Sequence, residues 1–425
     1  MRNIGLDLGR HTGEAASVDG HGRAVSLGSV EVSPAGLEAL IGRLRPDDRV
    51  VLEASTNTWT IAELLAPHVG QVIVSNPLRT RAIAEAKVKT DQIDAATLAE
   101  LLAADYIPSV WQPDPDTLAR RRLVSLRAAL VRGRTGERNR VAAIIGRRLL
   151  ACPVSDAFGV AGRAWLAGLE LPADERLALD LHLRLHDAIA AEIEVAETAI
   201  ARSVRDSAPI RHMLSVPGIG LTTAAALDAL IGDVSRFSRP TKLVGYLGLD
   251  PRVRASGARS YTGHISRAGQ AHARALLIEA AHSAVRTPGP LAGFYLRIKR
   301  RRGAGVAIVA VARKLAVLTW HLLTEDVDYA WSPPSASAAK IRRLELLAGD
   351  AKRMTRAGMV MGTGASTKAA LKAQRARERA MLAGAQATYE RFVATRAASV
   401  KADAAAAKGE RLVGPTESEP AAPRS

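Results

Sequence analysis

Residues 3–9 read Asn-Ile-Gly-Leu-Asp-Leu-Gly, an apolar run that ends in a turn and predicts a first β-strand. Two short strand patterns follow, on either side of the polar turn Asp19-Gly20-His21-Gly22, and helical and strand patterns then alternate. The predicted strands span 3–9, 15–18, 24–27, 49–53 and 72–74, and the predicted helices span 34–44, 59–65 and 91–104. Three sequential strands followed by alternating helices and strands indicate a mixed α/β sheet.

Long helical patterns replace the strands after Pro115. One helix is predicted over 118–150 and a second over about 177–204. In the second, apolar residues recur every three or four positions, at Leu185, Ile189, Ile193, Ala196, Ile200 and Val204. This stripe favours a helical hairpin or coiled coil, and an ordinary amphipathic helix on its own domain is the alternative.

The remainder of the chain divides by composition. Residues 214–323 combine short helical patterns with glycine-rich turns, whereas the chain beyond Ser332 is rich in Ala, Lys and Arg. That last segment is either a loose basic helix or disordered. The predicted fold class is therefore α/β plus all-α. Its four segments are a mixed-sheet domain over 1–115, a helical hairpin or coiled-coil spacer over 116–208, a helical domain over 209–327 and a basic tail over 328–425.

The chain carries a surplus of positive charge, since 59 Lys and Arg against 42 Asp and Glu give a formal net charge of +17. The surplus lies in two blocks, 236–302 with 14 basic and 2 acidic residues, and 338–411 with 16 and 6. Basic binding modules joined to a more acidic chemical module are typical of nucleic-acid enzymes. Composition alone does not choose between DNA, RNA and an anionic membrane.

Simple counts exclude several kinds of site. The single Cys152 excludes an internal disulfide framework and multi-cysteine metal sites, and the ten His show no paired spacing of a zinc site. The string 362–367 lacks the lysine of a phosphate-binding loop. The first residues enter a strand pattern at once, and the apolar stretch 306–318 is too short to span a bilayer. We therefore expect a cytoplasmic protein without a membrane partner.

Four carboxylates fall where a mixed α/β sheet would bring them together. Asp7 lies on the first strand, Glu53 ends a later strand, and Asp91 and Asp94 share one face at the start of a helix. Carboxylates packed this closely repel one another, and a divalent cation such as Mg²⁺ or Mn²⁺ relieves the repulsion. Such a site can cleave a phosphodiester bond.

Each carboxylate also has a simpler interpretation. Asp7 is followed by a turn, Glu53 suits a solvated sheet edge, and Asp91 and Asp94 suit the positive end of a helix dipole. Only their joint order and spacing favours a metal site over these structural roles.

Basic side chains surround Ser256 in the second half of the chain, at Arg252, Arg254, Arg259, Arg267 and Arg274. From the residues alone, Ser256 is interpreted as a phosphate-contacting serine, and attack of its hydroxyl on phosphorus is the alternative. The turn Pro217-Gly218-Ile219-Gly220 precedes a helix and either holds a phosphate or is a tight turn between helices. The run 297–302 ends in Arg300, Arg301 and Arg302, and it is either a nucleic-acid surface or a solvated face.

Motifs in both halves of the chain resemble one family, the insertion-sequence transposases with an Asp-Glu-Asp-Asp tetrad. In the first half they are Ile4-Gly5-Leu6-Asp7, Leu52-Glu53-Ala54-Ser55, Ser75-Asn76-Pro77 and Lys89-Thr90-Asp91-Gln92-Ile93-Asp94-Ala95. In the second half they are the segments 216–220, 245–251, 256–257 and 263–269. The resemblance covers about residues 1–325. Asp250 departs from it, standing where a small polar residue is more usual before Pro251.

The resemblance implies a detailed function. It implies an RNase H-like domain similar to the RuvC resolvases over 1–115, with Mg²⁺ or Mn²⁺ held by Asp7, Glu53, Asp91 and Asp94. It also implies that Ser256, ahead of Ser260 and Ser266, is a covalent nucleophile toward DNA, acting with a carboxylate site from another protomer. A structured guide RNA and a homodimer or homotetramer follow from the family as well.

Two other functions remain open on the sequence. A junction resolvase or metal-dependent nuclease would hydrolyse DNA at the carboxylates without a covalent intermediate, and a nucleic-acid scaffold would not cut DNA. The presence of all four carboxylates disfavours the scaffold. The hydrolytic enzyme differs from the transposase in the role of Ser256.

Overall fold

The computed structural model describes residues 1–18, 22–83, 90–256, 259–349 and 364–410. Within these ranges only the backbone is described for 253–256, 259–260, 262, 364–368 and 397–410. The predicted turn at 19–21, Lys89 of the tetrad motif and the string 362–363 lie outside the described residues. The chain forms two compact units, Met1–Asp114 and Pro115–Ser425.

A five-stranded mixed sheet is the centre of the first unit. Its strands are β1 (Asn3–Leu8), β2 (Thr12–Val18), β3 (Ala24–Glu31), β4 (Arg49–Glu53) and β5 (Gln71–Ser75). They lie in the order β3-β2-β1-β4-β5, with β1, β2 and β3 antiparallel and with β1, β4 and β5 parallel. The predicted mixed α/β sheet is confirmed, and it is consistent with an RNase H-like domain.

Helices cover both faces of this sheet. They are α1 (Pro34–Ile41), α2 (Thr58–Leu65), α3 (Pro77–Ile83) and α4 (Asp91–Ala103). On one face, Ile4, Leu6 and Leu52 pack into a core with α1 and α2. On the other face, Val51 packs against Leu98 of α4. Alternate residues of each strand therefore point to α4, and these include Gly5, Asp7 and Glu53.

Gly5 allows α4 to approach the sheet closely. A Cβ atom built on Gly5 would lie 2.1 Å from the Ala95 carbonyl oxygen and 2.6 Å from the Ala99 nitrogen. Both neighbours are backbone atoms of a buried helix turn, so they have no rotamer with which to move away. The glycine of the first motif thus sets the distance between β1 and the helix that carries Asp94.

We expect Gly5→Ala to lower the free energy of unfolding by about 2–3 kcal/mol, because α4 must shift to admit the methyl group. The measurement is urea denaturation followed by circular dichroism. Gly42→Ala is the control: Gly42 has a helical φ of −61°, and its added Cβ would meet no atom closer than 3.7 Å. That control should leave the unfolding free energy within about 1 kcal/mol of wild type. Equal stabilities for the two variants would contradict the close approach.

The second unit is mainly helical. Its helices are α5 (Pro115–Arg147), α6 (Val160–Ala167), α7 (Ala173–Ser203), α8 (Ala208–Ser215), α9 (Leu221–Ile231), α10 (Pro240–Tyr246), α11 (Ala271–Ala284), α12 (Pro290–Arg302), α13 (Ala304–Glu325), α14 (Pro334–Ala348) and α15 (Gly364–Glu410). The long helices α5 and α7 pack side by side and antiparallel, as the pairs Arg127–Glu197 and Arg148–Glu175 show. Of the apolar stripe on α7, Ile193, Ala196 and Ile200 are buried, whereas Leu185 is 49% exposed.

Two features of this unit differ from the sequence prediction. A β-hairpin, β6 (Pro251–Ser256) and β7 (Arg259–Ile265), interrupts the region predicted to be all-α. Its strands carry few large apolar residues, Val253, Tyr261 and Ile265, and β6 begins with Pro251, so neither strand has the apolar run by which a strand is recognised. The predicted spacer is also not separate from the helical domain, because Val124 of α5 and Ile200 of α7 belong to the same core as α9 and α13.

The structure does not support treating all of 328–425 as a tail. Leu344 of α14 is 1% exposed, and it lies in the core of the second unit with Ala348. Helix α15 packs on α12, where Leu382 is 2% exposed and the Gln386 side chain accepts a hydrogen bond from the Gly289 nitrogen at 3.2 Å. A few apolar residues at helical spacing are enough to dock these alanine-rich helices.

Among the described residues, one helix is long and apolar enough to cross a membrane by length and composition, the 22-residue α13. It extends beyond the apolar stretch 306–318 recognised in the sequence. Its residues Val311, Leu315 and Thr319 are fully buried against neighbouring helices of this unit. The apolar composition of α13 is therefore that of a central core helix.

Candidate active site

Two of the predicted carboxylates lie side by side at the carboxyl ends of parallel strands. Leu6 of β1 pairs with Leu52 of β4, so Asp7 and Glu53 are the next residues along the two strands. Both lie on the face that α4 covers, and both are half-buried. In sheets with parallel strands, ligands bind at this end.

The third carboxylate is supplied by the first turns of α4. The Thr90 hydroxyl accepts a hydrogen bond from the Ile93 nitrogen at 3.2 Å and caps the helix. Asp94 follows one turn into the helix and is half-buried, beside the fully buried Ala95. Asp91 is the first helical residue and is exposed.

These side chains meet in a cleft of about 240 Å³, which we call the carboxylate cleft. Its lining is Asp7, Glu53, Pro77, Leu78, Thr80, Arg81, Asp94, Thr97 and Leu98. The structure thus brings together three of the four predicted carboxylates, from three separate elements. It does not place Asp91 among the residues that line the cleft.

Helix α3 forms the rim of the cleft, and sequence reasoning did not predict it. The Ser75 and Thr80 hydroxyls are hydrogen-bonded at 2.5 Å, and both residues are buried. This hydrogen bond holds α3 against the end of β5. This pair positions Arg81, a cation in a cleft otherwise lined by carboxylates and uncharged groups. The motif Ser75-Asn76-Pro77 was the available signal, since proline is favoured in the first turn of a helix.

The donor atoms of the cleft suit a hard divalent cation, because all three acidic residues offer carboxylate oxygens. Within the described ranges, however, no three His, Cys, Asp or Glu side chains are grouped closely enough to hold one ion. Mg²⁺ is usually bound by one or two carboxylates together with substrate phosphates rather than by an all-protein cage. The cleft fits an ion of that kind, completed by the substrate.

The predicted serine nucleophile lies in the other unit. Ser256 ends β6 and pairs with Arg259 at the start of β7, but the side chains of Ser256, Arg254 and Arg259 lie outside the described part. Of the alternative serines, the Ser260 side chain is likewise not described. The Ser266 hydroxyl donates to the Asp250 carboxylate at 2.6 Å.

The predicted nucleic-acid-binding arginines have different surroundings. Arg252 and Arg267 line a groove of about 510 Å³ beside the hairpin, together with Tyr261 and His264, which the sequence analysis did not single out. Arg274 donates to the carbonyl oxygens of Arg267 and Leu247 at 3.3 and 3.5 Å, so it also supports the loop. Arg300, Arg301 and Arg302 are exposed in the last turn of α12, where basic residues favour the helix dipole.

Comparison with known protein families matches both units. Residues 4–147 match a family model described as a transposase, of the DEDD insertion-sequence type, and residues 210–296 match the transposases of the IS116/IS110/IS902 family. Together the two matches cover more than half of the chain. The chain belongs to this family of insertion-sequence transposases. The resemblance deduced from the motifs is thereby confirmed, and the enzyme acts on DNA.

Several relatives of this DEDD-type transposase are similar over most of their length. "Probable family 20 transposase" of Pseudomonas aeruginosa is 28% identical over 340 residues, which cover 77% of this chain and 98% of the relative. "Transposase for insertion sequence element IS1111A" of Coxiella burnetii is 25% identical, with 77% and 91% covered. "Pilin gene-inverting protein" of Moraxella lacunata is 25% identical, with 65% and 80% covered. The activity of this transposase is therefore transposition or DNA recombination.

Proposed function

We propose that this transposase cuts and rejoins the DNA of a mobile element, using the carboxylate cleft as its metal site and Ser256 as its nucleophile. The observation that carries the proposal is the convergence of Asp7, Glu53 and Asp94 in one cleft at the carboxyl ends of parallel strands. Asp91, one turn before Asp94 on α4, completes the tetrad of the family.

The protein contributes charge and position at this cleft. Carboxylate oxygens of Asp7, Glu53 and Asp94 would hold Mg²⁺ or Mn²⁺ together with phosphate oxygens of the DNA. The ion, when bound, supplies activation of the attacking oxygen and stabilisation of the leaving oxygen. Arg81 on the rim attracts the scissile phosphate, and the Ser75–Thr80 hydrogen bond keeps α3 and Arg81 in place.

Ser256 would make the reaction reversible. Its Oγ forms a bond to phosphorus, its proton passes to a base, and the bond from phosphorus to one deoxyribose oxygen breaks, with that oxygen taking up a proton. The phosphodiester energy is kept in the serine–DNA bond and is released when a new deoxyribose hydroxyl attacks. No outside energy source is then needed for rejoining, which agrees with the missing lysine in the string 362–367.

The family adds further features to the proposal, namely a RuvC-like catalytic domain over 1–115, a serine domain over 209–327 whose core includes residues of the segment 116–208, a guide RNA and a homodimer or homotetramer. The cytoplasmic location is proposed from the sequence. The two basic blocks support binding of nucleic acid beyond the cleft. Sequencing the DNA beside the gene tests guidance: a non-coding stretch complementary to both element and target is expected.

The experiment that tests the proposed reaction is a cleavage assay on labelled element DNA with Mg²⁺ and with EDTA. We expect cleavage with Mg²⁺, no cleavage with EDTA, and a protein–DNA adduct among the products. Cleavage that persists in EDTA would contradict the metal site. Free DNA ends without any adduct would favour the hydrolytic nuclease instead.

The basic end of α12 gives a prediction about DNA binding. Replacing Arg300, Arg301 and Arg302 together by alanine should reduce the slope of log affinity against log salt by about 2–3, because each phosphate contact contributes about 0.9. Fluorescence anisotropy with a labelled duplex, at several salt concentrations, measures the slope. Replacing Arg202, Arg205 and Arg211 by alanine removes the same charge elsewhere and should leave the slope nearly unchanged. An unchanged slope in the α12 variant would place the DNA surface elsewhere.

A further inference from the structure

A second cavity, also of about 240 Å³, lies in the helical unit where α9 begins. The lining side chains that matter are Arg127, Glu197, Thr222, Thr223, Lys340 and Arg343. They come from α5, α7, α9 and α14, so four helices enclose the cavity. We call it the Lys340 pocket. Lys340 and Arg343 lie on α14, beyond the segments that match the family models.

Lys340 places a positive charge against the turn between α8 and α9. Its Nζ donates hydrogen bonds to the carbonyl oxygens of Leu214 at 2.8 Å and Val216 at 2.7 Å. An ammonium group has three N–H donors, so one donor remains beyond these two carbonyls. Burial lowers the pKa of Lys340 to about 8, and among the described residues no carboxylate forms an ion pair with it. The buried charge is therefore only partly compensated by the protein.

The pocket as a whole carries excess positive charge. Arg127 donates to the Glu197 carboxylate at 2.6 and 2.9 Å, and this pair is close to neutral. Arg343 reaches the same carboxylate only at 3.9 Å, and its side chain is 72% exposed. The pocket thus has one carboxylate, that of Glu197, and three cations. Because Arg127 pairs with Glu197, the positive charges of Lys340 and Arg343 are not neutralised. A pocket of this kind attracts an anion.

The start of α9 adds to this attraction. Gly220 is the N-cap of α9 and has no side chain with which to cap the first-turn N–H groups. Gly218, two residues earlier, has a φ of +86°, and a Cβ there would lie 2.1 Å from the Ala280 carbonyl oxygen of α11. The close contact between Gly218 and α11 fixes the turn that precedes α9, and the first-turn residues Thr222 and Thr223 line the pocket. The N–H groups of a helix's first turn are suitable donors to a phosphate oxygen.

We infer that the Lys340 pocket binds a backbone phosphate of duplex DNA, with Lys340 and Arg343 of α14 as its cations. No aromatic side chain is among the described residues that line it, so it has no surface on which unpaired bases would stack. Such a contact positions DNA without reading its sequence. The inference goes beyond the proposed function, because binding a phosphate here requires neither the carboxylate cleft nor Ser256.

The first test is Lys340→Met, which removes the charge and keeps an apolar side chain of similar length. In EDTA at pH 7, we expect a random-sequence duplex to bind about tenfold more weakly, with a salt slope smaller by about 1. Lys314→Met is the matched control, because Lys314 is exposed on α13 and does not line the pocket. It should change the affinity by less than about twofold.

Dependence on pH separates a phosphate contact from a purely structural role of Lys340. Phosphate binding raises the pKa of Lys340 above its free value of about 8. Lys340 is therefore protonated and favourable to binding at pH 7, and this contribution to affinity is lost as the pH rises through the raised pKa of the bound state, above about 8. We expect Lys340→Met to lose this component of the pH dependence, and Lys340→Arg to keep its affinity at alkaline pH.

Arg343→Gln keeps the inference testable if Lys340→Met fails to fold. Its exposed side chain donates to neither turn carbonyl, and we expect about fivefold weaker duplex binding with an unchanged melting temperature. Unchanged duplex affinity and salt slope in the folded variants would overturn the inference. A loss confined to single-stranded RNA would also overturn it. Intact duplex binding without cleavage would instead count against the proposed reaction alone.

Discussion

The Asp94→Asn substitution is expected to lower the rate of DNA strand cleavage by about 10³-fold, while duplex affinity stays within about twofold of wild type. An asparagine would keep the shape of the side chain but lose the charge that the carboxylate cleft offers to a cation. Because Asp94 lies near the start of a capped helix and is half-buried, the exchange should leave α4 in place. Single-turnover cleavage of labelled DNA in Mg²⁺ gives the rate.

A control on the same helix separates the effect of a substitution in the cleft from the effect of removing any negative charge from α4. Glu100 is exposed on α4 and does not line the cleft, so Glu100→Gln should change cleavage by less than about twofold. Asp91→Asn reports on the fourth carboxylate, which is exposed outside the cleft lining. A loss equal to that of Asp94→Asn means that Asp91 acts in the tetrad. A wild-type rate of DNA cleavage by the Asp94→Asn variant would contradict the metal-site proposal.

Ser256→Ala is expected to abolish both recombination and the covalent protein–DNA adduct. The change removes one hydroxyl from a strand end, so folding and duplex affinity should stay close to wild type. The adduct is measured with a suicide substrate on a denaturing gel, with and without protease. A protease-sensitive shifted band in wild type, missing in Ser256→Ala, is the expected pair of results.

The other serines of the hairpin serve as controls. Ser260→Ala should retain the adduct, since Ser256 is the residue beside Gly257 in the family motif. Ser266→Ala should retain it as well, because its hydroxyl is engaged with Asp250. If Ser256→Ala still forms the adduct and one of these two variants does not, the nucleophile has been assigned to the wrong serine.

The mixed sheet and three residues of the candidate site could be predicted because their signals are local. Apolar runs identify strands such as β4, and Thr90 before Asp91 identifies the start of α4. Their meeting point then follows from sheet geometry, since strand ends and helix starts share an edge. The family motifs added Ser256, which the residues alone indicate only as a phosphate contact.

The features that sequence analysis missed depend on tertiary contacts. Helix α3 has only seven residues and begins two residues after β5, so the sequence pattern does not indicate it and does not connect Arg81 with the cleft. The hairpin strand β6 begins with a proline and has one large apolar residue, Val253, so its short alternation does not stand out as a strand. Helix α14 has few large apolar residues, yet Leu344 reaches the core, and this docking brings Lys340 to its pocket.

The hydrogen bonds of Lys340 join parts of the chain that are made at different times. Lys340 is separated from Leu214 by 126 residues and from Val216 by 124. At about 5–20 residues per second, a ribosome delivers this lysine roughly 6 to 25 s after the turn that it completes. Translation that stops before codon 340 would release a protein with both family segments but without the cation beside α9. Completion of the α8–α9 turn is thus tied to the synthesis of α14, which follows both family segments.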